Sequence, residues 1–144
     1  MIRIAVLLLT FATSLYAQTA WWEPASPRQG DVVTFYYDAI AGTLPDAGTQ
    51  VWMHWGIRDA NGSWSTPPAS IWPQGSVLHT DGVALQSPMT NDGNQVWSVT
   101  IDFTTDIEMI GFVFTDRGSN WDNNSGNDWS LTFLSSGTVS WWTP

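Results

Sequence analysis

The feature that most restricts the fold of this chain is a series of short runs in which apolar and polar residues alternate. The clearest run is QVWSVTIDFT at 95–104, where every second residue from Trp97 to Phe103 is apolar. Four similar runs occupy 31–39, 49–58, 108–116 and 128–134. Because period-two alternation places side chains on opposite faces of a strand, and Gly, Pro, Asn and Asp separate the runs, the pattern predicts short strands. No segment combines a helical period with caps, so we predict an all-β fold, an antiparallel β-sandwich.

One long region departs from this pattern. Residues 59–94 are rich in Pro, Ser and Gly, as in NGSWSTPPASIWPQGS at 61–76. Such residues favour turns and loops over regular strands. We therefore predict that 59–94 forms a long excursion between two strands of a sheet.

The acidic composition of the chain excludes partners that are bound through basic patches. The chain has no Cys and no Lys, 4 Arg and 13 acidic residues, with a formal net charge of −9. Nucleic acids and anionic membrane surfaces are bound by basic patches, so we expect neither as a partner. Without disulfides the core must supply the stability, and 11 Trp, 6 Phe and 3 Tyr can fill it. A neutral ligand, met by aromatic and hydrogen-bond contacts, fits this composition best.

The two ends of the chain suggest how it is processed and organised. The start, MIRIAVLLLTFATSLYAQ, has a basic Arg3, a short apolar run and the small Ala17, which predicts a signal peptide over 1–17 and a secreted protein. The domain then covers 18–137. Trp-Trp-x-Pro occurs at 21–24 and again at 141–144. Residues 138–144 are thus a linker or the start of a second repeat, with further domains beyond; chance in a Trp-rich chain is the alternative.

Few residues are suited to catalysis or to metal binding. The two His, His54 and His79, lie 25 residues apart, Glu occurs only twice, and most Asp stand in turn-like contexts. We predict no catalytic residue and no cofactor. The loop at 122–128 has a calcium-like composition, but Gly falls at position 5 where an EF-hand needs it at 6. A looser calcium site stays an alternative; an Asx-turn loop without metal is our prediction.

Aromatic recognition suits the sequence better. A tryptophan face can stack on the apolar face of a pyranose, while nearby Asn, Asp, His and Arg bond the hydroxyls. Trp64 and Trp121 each follow a Gly-containing polar turn, so we predict that both are exposed. Strand alternation instead places Trp55, Trp97 and Trp129 in the core.

A family resemblance supports this hypothesis. The pieces VWMHWGI…GSW and VWSVTIDFTTDIEMIGFVFTDRGSNWDNNSGNDWSL resemble the starch-binding carbohydrate-binding modules of families 25 and 53, and more distantly family 26. The resemblance implies an immunoglobulin-like β-sandwich that binds α-1,4-glucan without cleaving it. It also implies a ligand site: His54 and Trp64 match one half, Trp121 the second aromatic wall, and Asn123 and Asn124 the adjoining polar loop.

Two points stay open at this level. The segment 67–89 is similar to the glucan-binding modules of plant starch dikinases, and whether its Trp72 or His79 joins the site is undecided. Arg58, on the same strand face as His54, is an additional candidate donor. The rival hypothesis is a structural immunoglobulin-like spacer of a larger secreted protein.

Overall fold

The computed structural model describes residues 18–44 and 50–137; the predicted signal peptide and the second Trp-Trp-x-Pro motif lie outside the described residues. Within these ranges the chain forms eleven strands and a single 3-10 turn at Ala69–Ile71. The strands are β1 (Ala20–Glu23), β2 (Val32–Asp38), β3 (Trp52–Arg58), β4 (Trp64–Ser65), β5 (Val77–Leu78), β6 (Leu85–Pro88), β7 (Thr90–Gly93), β8 (Val96–Asp102), β9 (Met109–Thr115), β10 (Trp121–Asp122) and β11 (Trp129–Thr132). The all-β prediction is confirmed. No described helix is long and apolar enough to cross a membrane.

The strands form two antiparallel sheets. The first sheet has the order β1-β2-β8-β7. The second has the order β10-β9-β3-β6-β5, with β11 also on β9 and β4 also on β3. A parallel bridge between Arg28 and Leu134 ties the start of the domain to its end.

The core lies between the sheets and is built from the alternating positions of the predicted strands. In β2, Val33, Phe35 and Tyr37 are fully buried, and on β9 Phe112 and Phe114 meet them. The rings of Phe35 and Phe112 pack edge to face at 5.3 Å between centroids. Alternation therefore identifies the inward face of β2 and β8.

The core tryptophans follow the prediction. Trp55 and Trp97 are buried, and the Trp55 indole nitrogen donates to the hydroxyl of Ser87 at 2.9 Å. Trp129 packs against the core and stacks near Phe112 at 6.2 Å. All three predicted core placements are confirmed.

The long excursion predicted over 59–94 contains short strands that the sequence analysis did not identify. Four short strands, β4 to β7, lie in this region, and β6 pairs with Trp52–Trp55 of β3. The sequence LQSP of β6 shows no alternation, because Gln86 and Ser87 are buried through hydrogen bonds rather than apolar contact. β1 was also missed, since a four-residue edge strand carries too short a pattern.

Candidate functional site

The outer face of the second sheet carries the predicted site residues. Because Met53 and Trp55 point into the core, His54 and Gly56 of β3 point away from it. The β9 residues opposite them are Val113 and Gly111. The centre of this face is thus an imidazole, a valine and two adjacent glycines.

The indole of Trp64 lies on these two glycines. A tight turn follows β3, in which the Asp59 carboxylate accepts from the backbone N–H groups of Asn61 and Ser63, both at 2.9 Å. The turn brings Trp64 opposite the end of β3. A Cβ at Gly111 would lie 2.8 Å from Trp64 Cζ2, and one at Gly56 would lie 3.1 Å from Cε3. Only residues without a side chain leave room for the ring in this position. Because the ring lies on these glycines, Trp64 is half-buried rather than exposed as predicted.

Trp121 enters the same face from the opposite side. The turn at 116–120 is held by the Asp116 carboxylate, which accepts from Gly118 N at 2.7 Å and from the Asn120 side-chain nitrogen. These hydrogen bonds from Asn120, followed by those from the backbone, lower the pKa of Asp116. Trp121 is the first residue of β10 and is 40% exposed, which confirms its predicted exposure.

His54 lies between the two indoles. Its ring centroid is 4.9 Å from that of Trp121 and 6.0 Å from that of Trp64. The side-chain nitrogen of Gln86 is 3.2 Å from His54 Nδ1. When the Gln86 amide nitrogen donates to Nδ1, the neutral ring carries its proton on Nε2. In that tautomer the imidazole keeps an N–H donor that Gln86 does not use.

The turn between β5 and β6 completes the site, and sequence reasoning did not assign it. His79 packs its ring edge to face against both His54 and Trp121, with centroids at 4.8 Å and 6.0 Å. Asp81 Oδ1 accepts from Val83 N at 2.8 Å and from Ala84 N at 3.0 Å, which fixes the turn. His79 therefore packs against two of the predicted site residues and supports them from the 67–89 segment. Trp72 instead packs on the core and donates to the Pro67 carbonyl.

The loop after Trp121 is tied to the sheets by a buried carboxylate. Asp122 Oδ2 accepts from the Tyr37 hydroxyl and from Thr43 N, both at 2.8 Å, and Oδ1 accepts from Asn124 N at 3.2 Å. Burial and the neighbouring Asp122 raise the pKa of the Tyr37 hydroxyl, which therefore stays a donor. Among the described residues, no cluster of three or more His, Cys, Asp or Glu could hold a metal ion.

These elements enclose a cavity of about 350 Å³, which we call the sheet-face cavity. Its lining residues are His54, Trp64, Asp81, Val83, Val113, Trp121, Asn123 and Asp128. Four of the six predicted ligand residues therefore converge. The other two are placed beside it: Asn124 donates to the Asp128 carbonyl at 3.0 Å, and Arg58 lies along Gly111 and the turn at Gly62. Aromatic walls with a few polar groups suit a small neutral ligand.

Replacing Gly111 by alanine tests whether the Trp64 indole needs a glycine beneath it. The new methyl group would lie 2.8 Å from Trp64 Cζ2 and must push the indole outward. Since Trp64 is held at the end of a two-residue strand, we expect about tenfold weaker ligand binding with little loss of fold stability. In a Trp64→Ala background the same change should have no further effect on affinity. An equal effect in both backgrounds would mean that Gly111 acts through another contact.

His54 makes the stability pH-dependent. Burial, and then the nearby His79, lowers the pKa of His54 to about 4, against about 6.5 in an unfolded chain. Between pH ~6.5 and ~4, His54 is protonated in the unfolded chain but stays neutral in the folded one. The unfolding free energy therefore falls as the pH drops towards ~4. The expected loss is about 2 kcal/mol relative to His54→Gln, measured by urea unfolding between pH 7 and 4.5. Parallel curves for the two proteins would contradict this assignment.

Comparisons with known proteins identify related domains. The family model described as "Alpha-glucan water dikinase 1 Ig-like N-terminal domain" matches residues 37–133. An alpha-amylase of Clostridium acetobutylicum is 33% identical over 109 residues, 75% of this chain and 11% of its own. Alpha-glucan water dikinases of Citrus reticulata and Solanum tuberosum are 33% and 29% identical over 56% and 61% of this chain. The chain spans about a tenth or less of the length of these relatives. The predicted immunoglobulin-like sandwich and the resemblance to starch-related modules are confirmed.

Proposed function

Because this chain belongs to the family of the Ig-like N-terminal domain of alpha-glucan water dikinase 1, we propose that it is a non-catalytic module that binds α-1,4-glucan. One observation carries the proposal: two partly exposed indoles, Trp64 and Trp121, share one cavity with His54 between them. The relatives, an alpha-amylase and alpha-glucan water dikinases, are consistent with a ligand of this class.

The chemistry of the sheet-face cavity suits a chain of glucose rings. Each indole offers an apolar face to the C–H groups of a pyranose, and the buried area stabilises the complex by about 25 cal/mol per Å². The Nε2 proton of His54 is available to a hydroxyl oxygen, and the oxygens of Asp81, Asn123 and Asp128 are available to hydroxyl hydrogens. Stacking supplies the affinity in this scheme and the polar rim orients the ring.

The sheet-face cavity is preformed. Trp64 is supported from below by backbone, Trp121 by two imidazoles, and the loops that carry them are held by Asp59 and Asp116. Side chains that are already ordered lose little entropy on binding, so more of the stacking energy appears as affinity.

The proposal extends to the whole protein in which the module stands. We propose that residues 1–17 direct export and are removed, and that the module holds a starch-active protein on its polymer. Sequencing the N-terminus of protein recovered from the culture medium tests the export step. A retained Met1, or protein confined to the cell, would contradict it.

Binding itself is tested with maltoheptaose and with starch gels. We expect maltoheptaose to change the tryptophan fluorescence saturably, and soluble starch in a native gel to slow migration. Cellohexaose is the matched control, because its β-linkages present the same rings along a different chain path. A structural spacer would show neither effect, and that result would replace the binding hypothesis by the spacer hypothesis.

A further inference from the structure

A second aromatic cavity lies at the edge of the first sheet, on the strand that carries the Trp-Trp-x-Pro motif. It measures about 330 Å³ and is lined by Gln18, Trp21, Trp22, Glu23 and Ala25. We call it the edge cavity. Its volume is close to that of the sheet-face cavity and lies within the range of about 300–1,000 Å³ typical of small-ligand sites.

The two tryptophans of the edge cavity point in opposite directions. Trp22 faces the core, where its ring meets Phe112 edge to face at 5.8 Å, and its indole nitrogen donates to the Ala25 carbonyl at 3.2 Å. Because side chains alternate along a strand, Trp21 and Glu23 lie on the outer face of the first sheet. The core contacts of Trp22 hold β1 in place. Trp21, on the outer face, is not needed for that contact and is available to bind a ligand.

Trp21 is already fixed in a geometry that suits stacking. It stands directly opposite Tyr36 of β2, with ring centroids 5.2 Å apart and planes within 9° of parallel. Tyr36 covers one face of the indole. β1 is the edge strand of its sheet, so no further strand covers the other face of the Trp21 indole. This face points away from β2, towards the edge cavity.

Polar groups stand beside this free face. The Tyr36 hydroxyl is 3.5 Å from Glu23 Oε2, a long contact that leaves the carboxylate able to accept from another donor. Gln18 brings an amide, which both donates and accepts. An aromatic wall beside an acceptor and an amide repeats the chemistry of the sheet-face cavity on a different sheet.

We propose that the edge cavity is a second binding site for a sugar ring, stacked on Trp21 and hydrogen-bonded by Glu23 and Gln18. The assignment rests on the proposed glucan-binding function and extends it. Sites on two different sheets let one module hold two glucan chains, or two segments of one chain, which raises the avidity for a polymer far more than for a short oligosaccharide.

Isothermal titration with maltoheptaose tests the proposal through stoichiometry. We expect about two ligands per wild-type chain, and about one for Trp21→Ala or for Trp64→Ala with Trp121→Ala. The triple variant should bind none. Glu23→Ala removes an exposed carboxylate and should weaken the second site about tenfold without unfolding the domain. Val32→Ala, an exposed apolar change on the same sheet, is the control and should bind like wild type.

The outcomes separate this proposal from the first. If the paired Trp64 and Trp121 change abolishes all binding while Trp21→Ala keeps the wild-type stoichiometry, the second site is overturned and the glucan-binding function stands. A wild-type chain that binds no maltoheptaose overturns both. Trp21-dependent binding of phenyltrimethylammonium, with no sugar bound, would reassign the edge cavity to a cation, because carboxylates and indoles also attract that class.

Discussion

The paired change Trp64→Ala and Trp121→Ala is expected to lower the affinity for maltoheptaose at the sheet-face cavity by about a thousandfold. Each indole is a partly exposed aromatic anchor in a preformed cavity, and such anchors contribute about 2 kcal/mol or more. Two of them contribute about 4 kcal/mol, and each 1.4 kcal/mol is about tenfold in affinity. The single changes should each cost about thirtyfold. Titration calorimetry measures the loss.

The fold should survive this double change, because neither ring is part of the core. Near-ultraviolet circular dichroism of the remaining tryptophans and the thermal midpoint check it. Trp72→Phe is a matched control: Trp72 is a half-buried tryptophan outside the cavity, and Phe keeps most of its packing. Unchanged affinity at this cavity in the folded double variant would move the binding site away from it.

Replacing Asp122 by alanine is expected to lower the unfolding free energy by about 3 kcal/mol, because the buried Tyr37 hydroxyl loses its acceptor and the charge-assisted hydrogen bonds from Thr43 and Asn124 are lost as well. The carboxylate is 4% exposed and accepts from Tyr37, Thr43 and Asn124. Urea unfolding with a constant slope gives the value.

Asp106→Ala is the control for this change, because Asp106 is exposed and surface substitutions shift stability by about 0.5 kcal/mol or less. We also expect Asp122→Ala to weaken glucan binding, since the carboxylate holds the loop that carries Asn123. Full stability in Asp122→Ala would show that water can replace the carboxylate, and that this loop is anchored by other contacts.

Much of the fold could be predicted because strand geometry leaves a local signature. Alternation identified β2, β3, β8, β9 and β11 and placed the rings of Trp55, Trp97 and Trp129 in the core. β6 could not be identified in this way. Its central residues, Gln86 and Ser87, are polar yet buried, because distant indole and imidazole groups satisfy them.

The site could be predicted in its parts and not in its arrangement. The Gly-containing turns before Trp64 and Trp121 predicted two exposed rings, of which Trp121 is exposed and Trp64 is half-buried, and the family resemblance added His54 and Asn123. Nothing local signals that Gly56 and Gly111 meet under one indole, since they are 55 positions apart (111 − 56) and come together only through the β3–β9 register. His79 is joined to Trp121 in the same indirect way.

The sequence by itself determined which residues alternate, which segments form tight turns, and which aromatic residues follow a polar turn instead of standing within an alternating run. These properties depend on neighbours within a few positions, so they can be read without a structure. The tertiary structure alone decided that Asp122 reaches Tyr37, that Trp64 rests on two glycines, and that His54 stands between two indoles. Such contacts depend on strand register across long separations, and register is set by the packing of the whole sandwich.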